Sequence, residues 1–309
     1  MNNPKRHHWW PELQSKHWTD SSGLIFGTKS DGSYFQAQPK NIGVESQLYT
    51  RYTTTGDSDL TIEKWFAAEI ESPFRESLDY LVRLPGLLRE PFRLPAEKIA
   101  EAKSLGFVVR DYRESIDIPA KHRASLGLYI AALVVRSPRY LAKIQQFHEA
   151  NSTFSNDREI KTITLDNMLH LFNVYKDSIA KSTFLFTVRE GKNEFLFSDG
   201  GVAPKEPWKP GPLPFDILVP LTPDLAVTVL PSPTGDLSRE RRFLLGRANA
   251  QGIARLNRKI LSTAAQLVFS RSTPPSSFIK KHFGVPAPNY LQVDWQNSRV
   301  VVKRNYSED

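Results

Sequence analysis

Six side chains in this sequence could move a proton, hold a metal ion or meet a phosphate: His7, His8, Glu63, Glu71, Arg136 and Asp199. The histidines are adjacent in "PKRHHWWPEL", and neighbouring side chains of an extended segment point to opposite faces. Pro11 biases Trp10 towards extended backbone and so supports that geometry. One histidine is then placed to face a polar site as general acid, general base or metal ligand, while the other caps a strand or meets solvent. Its bland alternative is a histidine bonded to a backbone carbonyl beside a tryptophan anchor. Trp9 and Trp10 are too apolar for a free tail, so the segment must dock onto the body of the protein.

Glu63 and Glu71 lie eight residues apart in "IEKWFAAEIES". At 3.6 residues per turn they share roughly one helix face, with a rise of about 12 Å, too far for one metal but close enough to line one groove. Carboxylates among apolar neighbours need a partner. Arg136 is the candidate, because it closes the apolar run "LYIAALVV" just before Ser137-Pro138. The same residues fit a second description, a buried Glu–Arg pair that locks two helices. Asp199 ends the run "EFLFS" and leads into Gly200-Gly201. Strand ends that open into glycine loops suit catalytic carboxylates, but Asp before Gly is also an ordinary turn former. His8, Glu63 and Asp199 are the candidate ligands for a divalent cation, Mg²⁺ or Mn²⁺. Arg239, Arg241, Arg242, Arg247, Arg255, Arg258, Lys259 and Arg271 crowd residues 239–271. In a helix Arg255, Arg258 and Lys259 fall at i, i+3 and i+4, a face that could track a phosphate backbone or simply be solvated.

Composition narrows the chemistry. The chain has 309 residues, no cysteine, and 41 Lys and Arg against 33 Asp and Glu, a formal charge of +8. Disulfides, thiolate metal sites and a cysteine nucleophile are excluded. The basic excess admits a polyanionic partner without demanding one. No apolar run approaches the length of a transmembrane helix, and the first residues do not read as the apolar stretch of a secretory leader, so the expectation is a cytoplasmic protein without membrane association. No Walker A loop, dinucleotide-binding glycine pattern, HExxH, Gly-x-Ser-x-Gly elbow or EF-hand loop occurs.

The elements that must position these residues follow from periodicity. "GLIFGTKSDGSYFQAQ" predicts a hairpin turning at Ser30-Asp31-Gly32. Helix is expected over "DLTIEKWFAAEIESPFRESLDYLVRL", where Ile62, Trp65, Phe66, Ala68 and Ile70 give a partial stripe and Pro73 marks a kink or a new start. A short helix is expected over "PAEKIAEAKSLG", and a buried central helix from Leu128 to Val135. Residues 152–162 read as a loop. Leu165, Met168, Leu169, Phe172 and Ile179 then share one helical face. "TFLFTVREGKNEFLFSDGG" predicts a second hairpin, and "DILVPLTPDLAVTVLP" two strands broken at Pro220 and Pro223. Residues 238–271 read as one long or two consecutive helices, followed by a proline-rich connector (274–288) and a last hairpin turning at Gln296-Asn297. The expectation is one α+β domain, 1–309, with antiparallel strands from the N-terminal and C-terminal thirds packed on a central helical bundle (about 58–182).

The motifs "KRHHWWPELQSKHW", "PKNIGVESQLYT", "IEKWFAAEIES", "VVRSPR", "FLFSDGG", "ILVPLTPDLAVTVL" and "LNRKILSTAAQLVFS" occur in that order. Together they resemble the bacterial domain of unknown function 4238 family, from about residue 5 to about 271. Members start with His-His-x-x-Pro and carry a later strand-end Ser-Asp motif. Here Gly200-Gly201 stands where that family usually has Asn-Pro, and Trp9-Trp10 where it usually has one aromatic. The resemblance implies a fold group and no activity.

Residue chemistry alone therefore frames the function. One reading is a phosphodiester-cleaving, nuclease-like hydrolase of RNA or DNA, as a toxin or phage-defence effector would be. His7 or His8 would serve as base or metal ligand, Glu63, Glu71 or Asp199 as orienting or metal-holding carboxylates, and Arg136 as charge stabiliser. The alternative is a non-catalytic module that binds nucleic acid or a protein partner and contains a buried polar network.

Overall fold

A computed structural model describes residues 6–53, 55–88, 97, 100, 113–151, 156–202, 216–230, 243–287, 292–296 and 299–303. Arg239, Arg241 and Arg242 and nearly all of the helix expected at 95–106 lie outside these residues. The architecture is α+β. Three α-helices form the central layer: α4 (Ala120–Arg136), α5 (Pro138–Asn151) and α6 (Asp157–Ala180). Helix α4 is buried continuously from Tyr129 to Arg136, as its apolar run requires, and packs on α6 and on an earlier helical segment. That segment comprises α2 (Thr61–Trp65), a π-helical turn (Phe66–Glu71) and α3 (Ser72–Leu81). Pro73 falls in the first turn of α3, where α-helix restarts after the π turn, as expected. Proline lacks the N–H and crowds the preceding turn, and the wider π turn just before it relieves that conflict.

Two sheets flank the helices. The larger has the order β10 (Ile217–Thr222), β11 (Leu225–Leu230), β8 (Thr183–Arg189), β12 (Phe243–Ala248), β7 (Arg113–Ile116). Its pairs are antiparallel except β8 with β12, which run parallel. Strands β10 and β11 are almost wholly buried. Val219, Leu221 and Val227 join the main core, whereas Leu218 and Ala226 join a smaller core with Ile253, Ile260 and Leu261 of α7 (Ala250–Thr263). The sheet is therefore covered on both faces, which explains why its strands read as unbroken apolar runs. Pro220 lies within β10 beside a register shift, so it bends the strand without ending it.

The smaller sheet has the order β3 (Tyr34–Ala37), β2 (Ile25–Lys29), β13 (Leu267–Ser270), β9 (Phe197–Ser198). Strands β2 and β3 form the expected hairpin. Strand β1 (Arg6–His8) pairs with β4 (Val44–Ser46), and β5 (Arg51–Tyr52) with β6 (Ser58–Asp59). A last hairpin joins β14 (Gln292–Gln296) to β15 (Arg299–Lys303).

Several sequence expectations need correction. Strands β8 and β9 lie in different sheets, so residues 183–198 are not a hairpin. The reason is Asn257, which clamps the intervening chain: its amide donates to the Glu194 carbonyl and its oxygen accepts the Leu196 N–H. Residues 243–270 are strand, helix and strand rather than continuous helix, because Phe243 and Leu245 are buried in the sheet beside β8. Residues 157–162 are helical, since Asn156 caps α6 by accepting the Glu159 N–H at 2.9 Å. The proline-rich connector contains a short helix, α8 (Ser276–His282). The middle of the chain also contributes strand β7 to the edge of the larger sheet.

Candidate functional site

The N-terminal segment docks through its tryptophans. Trp10 is fully buried, stacked on Phe197 at 4.3 Å and Phe269 at 5.0 Å, with Trp18 edge-on at 5.3 Å. The Trp9 N–H is held by the Gly43 carbonyl at 2.8 Å. This anchoring places β1 against α4 and the π turn. The alternation expected of an extended segment is observed: Arg6 exposed, His7 buried, His8 half-buried.

Arg136 is the centre of the site and is fully buried. It donates to Glu71 Oε1 at 2.6 Å, to the His8 carbonyl and, at 3.4 Å, to the Tyr49 hydroxyl. Its guanidinium lies over the Phe66 ring at 4.3 Å and beside the Tyr49 ring at 5.3 Å. Burial alone would lower its pKa, but the Tyr49 oxygen and the Glu71 and Glu63 carboxylates outweigh that, so it stays charged. Tyr49 completes the clamp: its hydroxyl donates to the Arg136 carbonyl at 2.9 Å and its N–H donates to His7 Nδ1 at 2.8 Å. The His7 ring stacks on Tyr49 at 5.8 Å. His7 therefore holds Tyr49, and Tyr49 holds Arg136. Tyr49 carries no sequence signal beyond its place in one of the quoted motifs, and Phe66 is marked only as part of the apolar stripe of its helix.

Two polar atoms of the site are buried with no hydrogen-bond partner among the described residues: His8 Nε2 and Glu63 Oε2. Burial lowers the His8 pKa, only partly offset by the Glu12 and Glu71 charges, so its imidazole is neutral near pH 7. Burial pushes the Glu63 carboxyl up to about 7, with the Glu71 charge adding to the effect and Arg136 and the His8 backbone N–H opposing it. Near neutrality, then, a neutral imidazole and a carboxyl close to its titration point adjoin an ionised Glu71–Arg136 pair.

Glu63 and Glu71 do face one arginine, but not through ordinary helix geometry. Eight residues of uninterrupted α-helix would leave them about 80° apart. A π-helical turn, which is wound more loosely than α-helix, lies between them.

Asp199 is placed elsewhere. Its carboxylate accepts the backbone N–H groups of Ala265, Gln266 and Leu267 at 2.8, 2.7 and 2.9 Å. Burial raises its pKa and these amides oppose the rise. It thus fastens the turn between α7 and β13. The adjoining glycines are dictated by close approach: a Cβ on Gly200 would lie 1.7 Å from the Thr263 carbonyl oxygen, and one on Gly201, whose φ is +67°, 2.7 Å from Ser137 Cβ. The Asp199 loop is thereby pressed against the residue that follows Arg136. Asp199→Ala is expected to destabilise the protein by about 2 kcal/mol, because three amides lose a charged acceptor; denaturant unfolding reads this directly. A loss under 0.5 kcal/mol would contradict that role.

Among the described residues no group of three or more His, Asp or Glu side chains is arranged to hold a metal ion. His8, Glu63 and Asp199 do not form one, and Asp199 spends both oxygens on backbone amides. On α7, the Lys259 ammonium is held by the Asp216 carboxylate and by its carbonyl at 3.0 Å. Arg255 and Arg258 are half-buried on the same helix. Arg271 makes a two-pronged pair with Asp224 at 2.8 and 2.9 Å. No described helix is long and apolar enough to cross a membrane.

An α+β chain whose N-terminal strand, π turn and central helix meet at one buried arginine defines the class. The particular family follows from comparison: the model for "protein of unknown function (DUF4238)" matches residues 6–274, and this chain belongs to that family. No curated protein and no solved structure matches it.

Proposed function

We propose that the Arg136-centred site performs general acid–base cleavage of a phosphodiester. The observation that carries this reading is the pair of buried atoms without partners, His8 Nε2 and Glu63 Oε2. A buried polar atom left unsatisfied costs about 1–3 kcal/mol, so two in one site are expensive unless a ligand meets them. Their states near pH 7 are complementary: neutral His8 can accept a proton from an attacking hydroxyl, and protonated Glu63 can donate one to a leaving oxygen. Both residues are only half-buried, so a change of rotamer exposes the reacting atoms. Glu71 is neutralised by Arg136 and Glu63 is largely protonated below its pKa of about 7, so the site presents little negative charge to an anionic substrate. The +8 charge of the chain favours encounter with one. Arg136 serves here through its field and by fixing the His8 backbone.

The test is cleavage of fluorescently labelled single-stranded and duplex RNA and DNA by the wild type and by His8→Ala. A loss of 10²–10⁴-fold in the variant, with an unchanged melting temperature, is the expected result. A wild type that cleaves none of the four substrates, or a variant as active as the wild type, would sink the reading. Growth of cells expressing the wild type or an inactive variant then tests the toxin or defence setting.

A second reading is favoured by one observation: Arg136 has its donors engaged by Glu71, His8 and Tyr49. The network would then be a structural clamp within a nucleic-acid-binding or protein-binding module. Binding of RNA or DNA that weakens steeply with salt, without cleavage, is the outcome that would select it.

A further inference from the structure

We propose that the π-helical turn Phe66–Glu71 is a positioning device: it absorbs one extra residue, so that Glu63 and Glu71, eight apart in sequence, face the single guanidinium of Arg136 as if they were seven apart. This goes beyond the catalytic reading and does not depend on it.

Core packing fixes the helix phase on both sides of the turn. The residues after the turn, Phe74, Leu78 and Leu81, are buried in the main core, which fixes the rotation of α3. The residues before it, Ile62 and Phe66, are likewise buried, which fixes α2. Seven residues of α-helix return almost to the starting direction, whereas eight overshoot by nearly a quarter turn. The wider π turn takes up that overshoot. The extra residue is accommodated at the surface, since Ala67, Ala68 and Glu69 are exposed. Pro73 holds the turn open from the C-terminal side, having no N–H to rebuild an α-type bond. Phe66, inside the turn, supplies the ring on which the guanidinium lies at 4.3 Å. Glu71 is bonded to the guanidinium at 2.6 Å, and Glu63 feels its charge. The turn thereby gives the two glutamates unequal environments on one face.

Deletion and insertion separate this idea from a merely local irregularity. Deleting Ala68 together with Pro73→Ala, which restores the missing N–H, should close the turn to α-helix with Glu71 still in phase. Inserting one alanine between Ala67 and Ala68 should turn Glu71 roughly 100° away from Arg136. The readout is the titration midpoint of Glu63, followed by NMR of the protein labelled with ¹³C at the glutamate carboxyls. In the deletion variant the midpoint should stay where it is in the wild type. In the insertion variant it should fall by about one pH unit or more, because Arg136 then acts on Glu63 without Glu71 competing. A deletion that moves the midpoint by as much as one pH unit, or an insertion that leaves it in place, overturns the proposal. If the insertion variant does not fold, the deletion variant alone decides. No step reads enzymatic activity, so failure here and failure of the phosphodiester reading remain distinct.

Discussion

Replacing Arg136 by methionine is expected to destabilise the protein by about 3–5 kcal/mol, one of the largest losses available to a single substitution. Methionine fills similar volume and keeps contact with Phe66, so the loss comes from charge and hydrogen bonding rather than from a cavity. Glu71 would keep a negative charge half-buried with no cation, and the His8 carbonyl and Tyr49 hydroxyl oxygen would each lose a donor. A lowering of the melting temperature by about 5–8 °C is the corresponding observation. The double variant Arg136→Met, Glu71→Met should recover part of that loss, because no charge is then stranded; a double-mutant cycle measures the coupling. A single-variant loss below 1 kcal/mol would mean that the clamp does not hold the site. Arg136→Lys is expected to behave more like methionine than like arginine, because a point charge cannot serve a carboxylate, a carbonyl and a phenolic oxygen at once.

Glu63→Gln should separate stability from chemistry. The Glu63 carboxyl is raised in the fold to about 7 from an ordinary value of 4.5. The folded state therefore holds this proton more tightly than the unfolded chain does. Its stabilising contribution is full below pH 4.5, is lost progressively as pH rises through 7, and is gone above that. Glutamine resembles the protonated carboxyl at every pH. The variant should match the wild type near pH 4 and exceed it by about 2 kcal/mol at pH 8, a value already discounted for the solvent that reaches the residue. Thermal unfolding at several pH values tests both ends. On the catalytic reading the same substitution should lower the cleavage rate by 10²–10⁴-fold, since the site loses its proton donor. A gain in stability joined to a loss of activity is the signature of a group held in place for chemistry. A glutamine variant that is less stable at pH 8 would show instead that Glu63 is needed as a charge.

The contrast between Glu63 and Asp199 shows where residue-level reading succeeds. Both are carboxylates within or at the end of an apolar run, and both were candidates for the same site. Asp199 precedes glycine, a context that equally signals a turn, and its oxygens are taken by three consecutive amides across a turn more than sixty residues away in sequence. Nothing local could distinguish the two outcomes. Likewise, Leu244 and Arg247 stand in a stretch with helical character, yet the stretch pairs in parallel with β8. Burial of Phe243 and Leu245 against the sheet outweighs a local preference worth only tenths of a kcal/mol per residue.

By itself the sequence determined the α+β class, the central buried helix, the first hairpin, the docking of the tryptophans and the pairing of Arg136 with a glutamate. Each of these follows from short-range periodicity or from the cost of leaving a large apolar or charged group without a partner. Only the tertiary structure decided which glutamate bonds to the arginine, that Tyr49 and His7 support it, that the strands around Asp199 belong to another sheet, and that a π turn brings residues 63 and 71 into phase. Those outcomes depend on the rotation and register of elements far apart in the chain. Rotation and register are set by the packing of the whole core, which no local window contains.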